Sequence, residues 1–305
     1  MRKKQHFWFV FIAAAMLLLL SACSSSIGSG NGQNPLSTLQ VLQNSQKAMS
    51  TLKSAHVGLQ IKGSGQASGS TAMPGNVNFS LSGSGDEALP NQEKMQLTTT
   101  QSVTNTTSNV TEILVGNKLY TQTNGGPWYV LSNSALGNVG NPFSGLGSPD
   151  LTELLGLLVH TQITDHGDQS LNGVTLRHIT LQLDKYALEQ LLDSNQQLVK
   201  LLGKQNINAA INNAQSFNAT LDLWIDETQF YVHRTELKLN LKANTAALKK
   251  SITPTASPVN KGNFPASVIT NADAIVDLSK FNEPVSITQP ASATPIAIPT
   301  ITATP

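Results

Sequence analysis

The chain has 305 residues, a formal net charge of +1 and only 12% charged residues. A balance this close to neutral excludes the clustered basic surface with which proteins bind nucleic acids. The single cysteine excludes a disulfide framework, so packing alone must hold the fold. The length suits one large β domain or two small domains.

The first 23 residues have the parts of a secretory signal. Arg2, Lys3 and Lys4 precede an apolar run from Phe7 to Leu20, which is too short to span a hydrocarbon core of about 30 Å. The ending Leu-Ser-Ala-Cys resembles a bacterial lipobox, in which the cysteine is diacylated and then becomes the first residue of the mature protein. We therefore expect residues 1–22 to be a lipoprotein signal peptide, with Cys23 lipidated. The protein would then be extracytoplasmic and anchored to the cell membrane. An uncleaved anchor, or an ordinary signal with an incidental cysteine, is the alternative.

Low-complexity segments flank the expected domain. Residues 23–34 combine the lipidated cysteine with a Gly/Ser-rich tether, whose mean reach as a flexible coil is roughly 18 Å. Residues 290–305 are rich in Pro and Thr and carry no charge, which predicts a disordered tail. A glycosylated or wall-spanning stalk is the alternative for this tail. The domain itself is predicted over residues 35–289.

A helix and a strand open the domain. Asn34 and Pro35 suit the N-cap and first position of a helix over 35–53. After it, Val57, Leu59 and Ile61 alternate with polar residues, which predicts a strand with one apolar face. The glycines that follow at 63 and 65 predict a loop or a sharply bent strand. Two more strands are predicted over 76–82 and 93–100.

Two meanders and two helices follow. Turns at 116–117 and 124–126 divide residues 111–131 into three strands. A second meander is predicted over 173–184, 218–225 and 230–241, with Asp222 facing solvent and Asp226 opening a turn. In its last strand, Tyr231, His233 and Thr235 are predicted to share a face with three leucines.

The two predicted helices are rich in leucine. The first opens at Ser148-Pro149 and is apolar nearly all round, which is unusual for a surface helix. The second follows a cap at Asp184 and is predicted to continue to about residue 202, with Gly203 as its stop.

Five stretches, in this order, resemble the LppX/LprAFG lipoprotein family and, more distantly, LolA-type carriers: 54–57 (SAHV), 116–120 (GNKLY), 126–129 (GPWY), 223–226 (LWID) and 281–287 (FNEPVSI). The resemblance covers about residues 36–290. It implies an α+β fold in which a strongly curved antiparallel sheet forms a half-barrel and helices cover its concave face. It also implies an apolar cavity that holds the acyl chains of a membrane lipid or acylated glycolipid.

The resemblance makes certain apolar residues candidates for the cavity wall, although ordinary core packing is the alternative for each of them. The candidates are Val57, Leu59, Ile61, Leu151, Leu154, Leu155, Leu158, Leu188, Leu191 and Leu192. The identity of the lipid does not follow from the resemblance.

Signatures of catalysis are absent from the sequence, which has no Gly-x-Ser-x-Gly elbow, His-Glu-x-x-His helix or phosphate loop. His160, Asp165, His166 and Asp168 come nearest to a metal cluster, but their spacing fits no known site, and 166–168 suits a turn. We therefore expect a non-enzymatic protein without cofactor or metal that binds and carries a lipid. The alternatives are an envelope sensor that binds a partner protein and a structural surface lipoprotein without ligand.

Overall fold

The computed structural model describes residues 36–68, 76–102, 105–132, 158–194, 208, 211–244 and 267–296. All described elements lie in one compact unit that starts at Ser37. The helical elements are α1 (Thr38–Ser50), a 3-10 turn (Leu158–His160) and α2 (Lys185–Ser194). The strands are β1 (Ser54–Ser68), β2 (Asn76–Ala88), β3 (Gln92–Gln101), β4 (Thr106–Val115), β5 (Lys118–Thr123), β6 (Trp128–Ser132), β7 (Thr161–Leu171), β8 (Val174–Leu183), β9 (Ala214–Ile225), β10 (Val232–Asn244), β11 (Ser267–Ser279) and β12 (Thr294–Pro295).

The strands form one twelve-stranded sheet in the order β12-β6-β5-β4-β3-β2-β1-β11-β10-β9-β8-β7. Every neighbouring pair is antiparallel except β12 and β6. The sheet thus consists of two runs of sequential strands that join where β1 pairs with β11. It is curved and does not close, so the fold is the α+β half-barrel that the sequence predicts.

Glycines make the close approach of β1, β2 and β3 possible. A Cβ at Gly83 or Gly85 would overlap a backbone carbonyl of β3, so only glycine permits this approach of the two strands. At Gly63 the ring of Phe79, its partner on β2, occupies the space that a Cβ would need. The glycines at 63 and 65 therefore lie within β1, which runs to Ser68, and not in a loop.

Helix α1 begins at Thr38 and not at 35 as predicted. Ser37 is its N-cap, and Ser37 and Gln40 form a capping box. That local pair satisfies the first free N–H groups, so Leu36 stays outside the helix. The buried side of α1 carries Val41, Leu42 and Met49.

Helix α2 begins where the sequence predicts. The Asp184 side chain accepts a hydrogen bond from the Ala187 N–H at 2.7 Å, as an N-cap residue does. Ala187 and Leu188 are fully buried. The predicted continuation of this helix beyond 194 lies outside the described residues.

The helices mark the concave face of the sheet. Thr38 of α1 donates a hydrogen bond to Asp165 on β7, and Asp165 lies opposite Ile179 on β8. Residues opposite each other on paired strands share a face. The face that carries Ile179 is therefore the concave one, and its register partners form the main core. These buried partners include Val57, Leu59, Leu181, Leu221, Leu223, Val276 and Leu278.

A smaller cluster lies on the convex face. Ile113, Tyr120 and Ile287 are buried together there. The C-terminal segment, predicted to be a disordered tail from Pro290, instead runs along β6 to Ile296, whose N–H bonds the carbonyl of Val130 at 3.0 Å.

Bulges in β7 and β10 explain two further differences between the structure and the sequence predictions. Residues 166–168 form a bulge inside β7, with Gly167 at φ +68°, and not a turn between elements. A bulge at the start of β10 buries Val232, whereas Tyr231 and His233 lie against Phe281 and do not share the apolar face.

Asp222 was predicted to face solvent, but it is only 7% exposed. It does lie on the convex face, where His178 and Thr180 of β8 contact its carboxylate and cover it.

The leucine-rich helix predicted from Ser148 to Val159 lies largely outside the described residues, and Leu158 lies in the 3-10 turn. Within the described part of the chain, no helix has the length and hydropathy to cross a membrane.

Candidate functional site on the concave face

Rows of apolar side chains cross the concave face from strand to strand. One row consists of Leu59, Val276, Leu223 and Ile179 with Thr235 between them, and all five are buried.

Burial falls from that row to the next on β1 and β11, whereas Leu221 of β9 and Leu181 of β8 stay buried in the next row. In the next row, Leu81, Ile61, Ala274 and Leu237 lie side by side on β2, β1, β11 and β10 and are only half-buried. One row further, Phe79 is 43% exposed and Leu239 is half-buried. We call the six residues Leu81, Ile61, Ala274, Leu237, Phe79 and Leu239 the concave apolar patch. A contiguous, incompletely covered apolar patch is typical of a ligand or interaction surface.

The predicted cavity residues fall into three groups. Val57 and Leu59 are 9% and 4% exposed and lie in the buried rows, and Leu188 is fully buried. Ile61 belongs to the concave apolar patch, while Leu158, Leu191 and Leu192 are half-buried. Leu151, Leu154 and Leu155 lie outside the described residues. Burial is required of core and cavity wall alike, so the assignment of these residues to a cavity stays a prediction.

Three glutamates share the concave face. Glu87 of β2 lies directly opposite Glu93 of β3, and Glu112 of β4 lies opposite Met95, two residues along β3. Glu93 is only 6% exposed. No hydrogen bond or ion pair joins any of these carboxyl groups to another described side chain, and Oε2 of Glu112 is buried without a partner. We call them the glutamate triad.

The triad is electrostatically unfavourable when all three carboxyl groups are charged. Burial, and then the negative charges of Glu87 and Glu112, raise the pKa of Glu93 to about 8. Burial also raises the pKa of Glu87 and of Glu112. Glu93 therefore holds its proton near neutral pH.

The triad was not among the residues predicted from the sequence, although a signal for it exists. Glu93 alternates with Met95 and Leu97, so it shares their side of the strand. Glu112 likewise alternates with Val110 and Leu114. A carboxylate on the apolar side of an amphipathic strand is the sequence signal that indicates such a buried acidic residue.

A groove adjoins the concave apolar patch at the end of these strands. It has a volume of about 620 Å³ and crosses β1, β2, β3 and β11. Phe79 of the patch lines it, together with hydroxyl and amide side chains and the neighbours Lys62 and Asp273. The groove is therefore continuous with the apolar site.

Convex-face charges and rings stabilise the sheet. The His178 ring stacks on Trp224 with centroids 4.3 Å apart, and Arg234 pairs with Asp277 at 2.6 Å. None of the His, Asp and Glu side chains in the described ranges forms a group of three suited to a metal ion.

Comparisons with known proteins give likenesses of structure only. No family model and no curated protein matches the chain. Among solved structures, the chain is similar to the lipoprotein LppX of Mycobacterium tuberculosis, with 14% identity, a TM-score of 0.41, and coverage of 83% of this chain and 100% of that one. It is also similar to LprF of Mycobacterium bovis, with 16% identity, a TM-score of 0.42, and coverage of 83% and 96%.

A third similar structure is a putative outer membrane lipoprotein-sorting protein domain from Vibrio parahaemolyticus, with 9% identity, a TM-score of 0.23, and coverage of 80% of this chain and 93% of that one. Two of these proteins bear names of the family that the sequence resembles. Since every TM-score is below 0.5, the function has to be argued from this chain's own residues.

Proposed function

We propose that this protein is a non-enzymatic, membrane-anchored lipoprotein that binds a lipid or acylated glycolipid on the concave side of its sheet. It carries or presents that lipid in the cell envelope. The observation that supports the proposal is the concave apolar patch, because it extends a well-packed core into apolar surface that no described element covers fully. A lipobox at Cys23 would keep this surface beside the membrane that supplies the lipid.

The energetics of acyl chains explain why a carrier needs such a surface. Each CH₂ group removed from water contributes about 0.8 kcal/mol. A 16-carbon chain therefore resists transfer into water by roughly 12 kcal/mol on the same coefficient. Only a surface as apolar as the bilayer can make the transfer nearly neutral, and the concave apolar patch has that chemistry.

Filling the patch tests the proposal. Ile61→Trp places a large side chain in the middle of the patch, and we expect at least a tenfold loss in uptake of a fluorescent diacyl phospholipid from phosphatidylcholine vesicles. The matched control is Gln60→Trp, which adds the same side chain to the exposed, convex side of the same strand. Circular dichroism checks that both variants fold, and Leu81→Trp repeats the test on β2.

Mass spectrometry of an organic extract of the purified protein provides the second measurement. The wild type and the Gln60→Trp control should copurify with acylated molecules, and Ile61→Trp should not. Equal uptake by all variants would remove the patch from the site. An extract without lipid would favour a structural lipoprotein without ligand. Copurification of a specific membrane protein, without lipid, would favour an envelope sensor.

A further inference from the structure

We propose that the groove across β1, β2, β3 and β11 is a binding site for a neutral saccharide. This site goes beyond the proposed function, because it takes a sugar unit and not an acyl chain. The sugar arrives either as the headgroup of the carried lipid or as part of a free oligosaccharide of the cell envelope. Both sources present the same hydroxyl groups to the protein, and the test distinguishes them.

A row of amide and hydroxyl side chains crosses the sheet and ends in this groove. Asn78 of β2, Ser64 of β1 and Asn271 of β11 are register partners, and all three line the groove. The row continues through Asn240 on β10. The Asn271 amide donates a hydrogen bond to Ser64 Oγ at 3.2 Å, and the Asn240 amide donates one to Asn271. These bonds fix the orientation of the Asn271 amide at the groove.

Polar groups in the lining have hydrogen-bonding capacity left for a ligand. Asn78 is exposed and Ser80 is half-buried, so a bound molecule can reach both side chains. Oδ1 of Asp273 is buried and has no hydrogen-bond partner among the described residues. A buried acceptor without a partner is costly to stability, and a hydroxyl group donated by a ligand would remove that cost.

The charge of the groove favours a neutral ligand. Lys62 and Asp273 are direct partners on β1 and β11, and they are the one cation and the one anion in its described lining. A phosphate is held by an excess of positive charge, and an ammonium group by an excess of negative charge. Sugar hydroxyls donate and accept hydrogen bonds, as the amide and hydroxyl side chains of this lining do. A neutral saccharide therefore matches the lining better than either ion.

Phe79 adds an apolar element to the groove. Its ring lies against Gly63, where a Cβ would overlap ring atoms, and Phe79 is 43% exposed. The faces of a sugar ring carry C–H groups, which pack against an aromatic side chain. The volume of about 620 Å³ lies within the range of about 300–1,000 Å³ that is typical of ligand pockets. Because Phe79 also belongs to the concave apolar patch, a sugar bound here can stay attached to an acyl chain in the patch.

An oligosaccharide array tests the proposal. It carries free neutral oligosaccharides of glucose, mannose, galactose and arabinose, their phosphorylated and amino forms, their acylated forms, and the acyl chain without sugar. The full-length lipoprotein is applied in phosphatidylcholine nanodiscs with a fluorescent tracer lipid, and empty nanodiscs give the background. We expect at least one neutral saccharide to bind at least tenfold more strongly than its phosphorylated and amino forms. Binding of free forms identifies a free oligosaccharide as the source, and binding of acylated forms alone identifies the lipid headgroup.

Two tryptophan variants of β2 separate the groove from the rest of the strand. Ser80→Trp fills the groove and should lower saccharide binding at least tenfold. Ser84→Trp is the matched control, because it adds the same side chain to an exposed position on the same side of β2 but outside the lining, and it should bind as the wild type. Asn271→Leu removes the amide at similar volume, and it repeats the test if circular dichroism shows that Ser80→Trp does not fold.

Phospholipid uptake keeps this proposal distinct from the proposed function. Ser80→Trp should take up the fluorescent phospholipid as the wild type does. Equal binding of neutral, phosphorylated and amino forms, or saccharide binding unchanged in both Ser80→Trp and Asn271→Leu, would overturn the saccharide site. A wild type that takes up phospholipid but binds no sugar on the array would overturn this site while the proposed function stands. Saccharide binding without phospholipid uptake would overturn the proposed function alone.

Discussion

Glu93 makes the stability of this protein depend on pH in an unusual direction. Burial and the neighbouring carboxyl groups raise its pKa from 4.5 to about 8 in the folded state. Between pH 4.5 and 8 the folded protein therefore keeps a proton that the unfolded chain releases. The contribution of Glu93 to the free energy of unfolding is complete below pH 4.5 and is lost as the pH rises through 8.

The free energy of unfolding should accordingly decrease from pH 5 to pH 8.5. One pKa unit corresponds to about 1.4 kcal/mol, so the change amounts to a few kcal/mol. Urea denaturation of wild type and Glu93→Gln at both pH values measures it, and the variant should show a flatter profile. A residual slope is expected from Glu87 and Glu112, whose pKa values are raised in the same direction. Parallel profiles for the two proteins would contradict this account.

Asp165 gives the opposite dependence at acid pH. Burial alone would raise its pKa, but hydrogen bonds from Arg177, Thr38 and the Gly167 N–H outweigh burial and lower the pKa to about 2. The contribution of Asp165 to the free energy of unfolding is complete above the usual Asp pKa of 3.8 and is lost as the pH falls through 2.

Asp165→Asn should therefore destabilise the protein by about 2–3 kcal/mol at pH 7, since it removes a part-buried charged hydrogen-bond network between α1, β7 and β8. The loss should shrink when the same denaturation is measured near pH 2.5. Asp168→Asn, on an exposed side chain three residues away, is the matched control and should stay within about 0.5 kcal/mol of wild type. A loss that is the same at both pH values would show that the charge of Asp165 is not its cause.

At the scale of elements, the glycines of β2 decide how closely β2 and β3 can approach each other. A Cβ at Gly85 would overlap the Lys94 carbonyl oxygen and lie against Met95, so Gly85→Ala should cost about 3 kcal/mol or more. Gly65→Ala adds the same methyl group to β1 where nothing lies within 4 Å, and it should be neutral or slightly stabilising. Thermal denaturation followed by circular dichroism compares the two. Equal losses would indicate that strand propensity, and not close approach, is what the glycines provide.

The elements that the sequence predicted are those with local signals. The turns at Gly116 and Asn124 have positive φ, and Asp226 accepts the Thr228 N–H in the turn before β10. Strands β7 and β11 were missed because their patterns are weak. β7 is an edge strand with mostly exposed side chains, and β11 places small alanines on its concave side.

The sequence predicted the site only in part, because the pairing register of distant strands determines which side chains lie side by side. Alternation identified Ile61 as one member of an apolar face, but the neighbours that make it a patch, Ala274 and Leu237, lie roughly 170–210 residues further along the chain. The triad depends in the same way on pairing between β2, β3 and β4. Local periodicity gives the face of a residue, whereas long-range pairing determines which residues share that face.

For the whole molecule, attachment to the membrane depends in our proposal on one atom, the Sγ of Cys23, in a segment outside the described residues. Cys23→Ser should incorporate no radiolabelled palmitate when expressed in cells, and its signal segment should stay uncleaved because acylation precedes cleavage. Ser24→Ala leaves the thiol in place and should be labelled as the wild type. Labelling of Cys23→Ser would place the acyl group elsewhere.

The pairing of β1 with β11 has a consequence for the order in which this protein is made and folded. These neighbours at the centre of the sheet are about 200 residues apart in sequence, and contacts between such distant segments form slowly. The ribosome supplies β11 only late in synthesis, so the two halves of the sheet cannot join before then. For a chain exported as proposed, this delay keeps the polypeptide unfolded enough to pass through a translocation pore. The half-barrel is then completed on the extracytoplasmic side of the membrane.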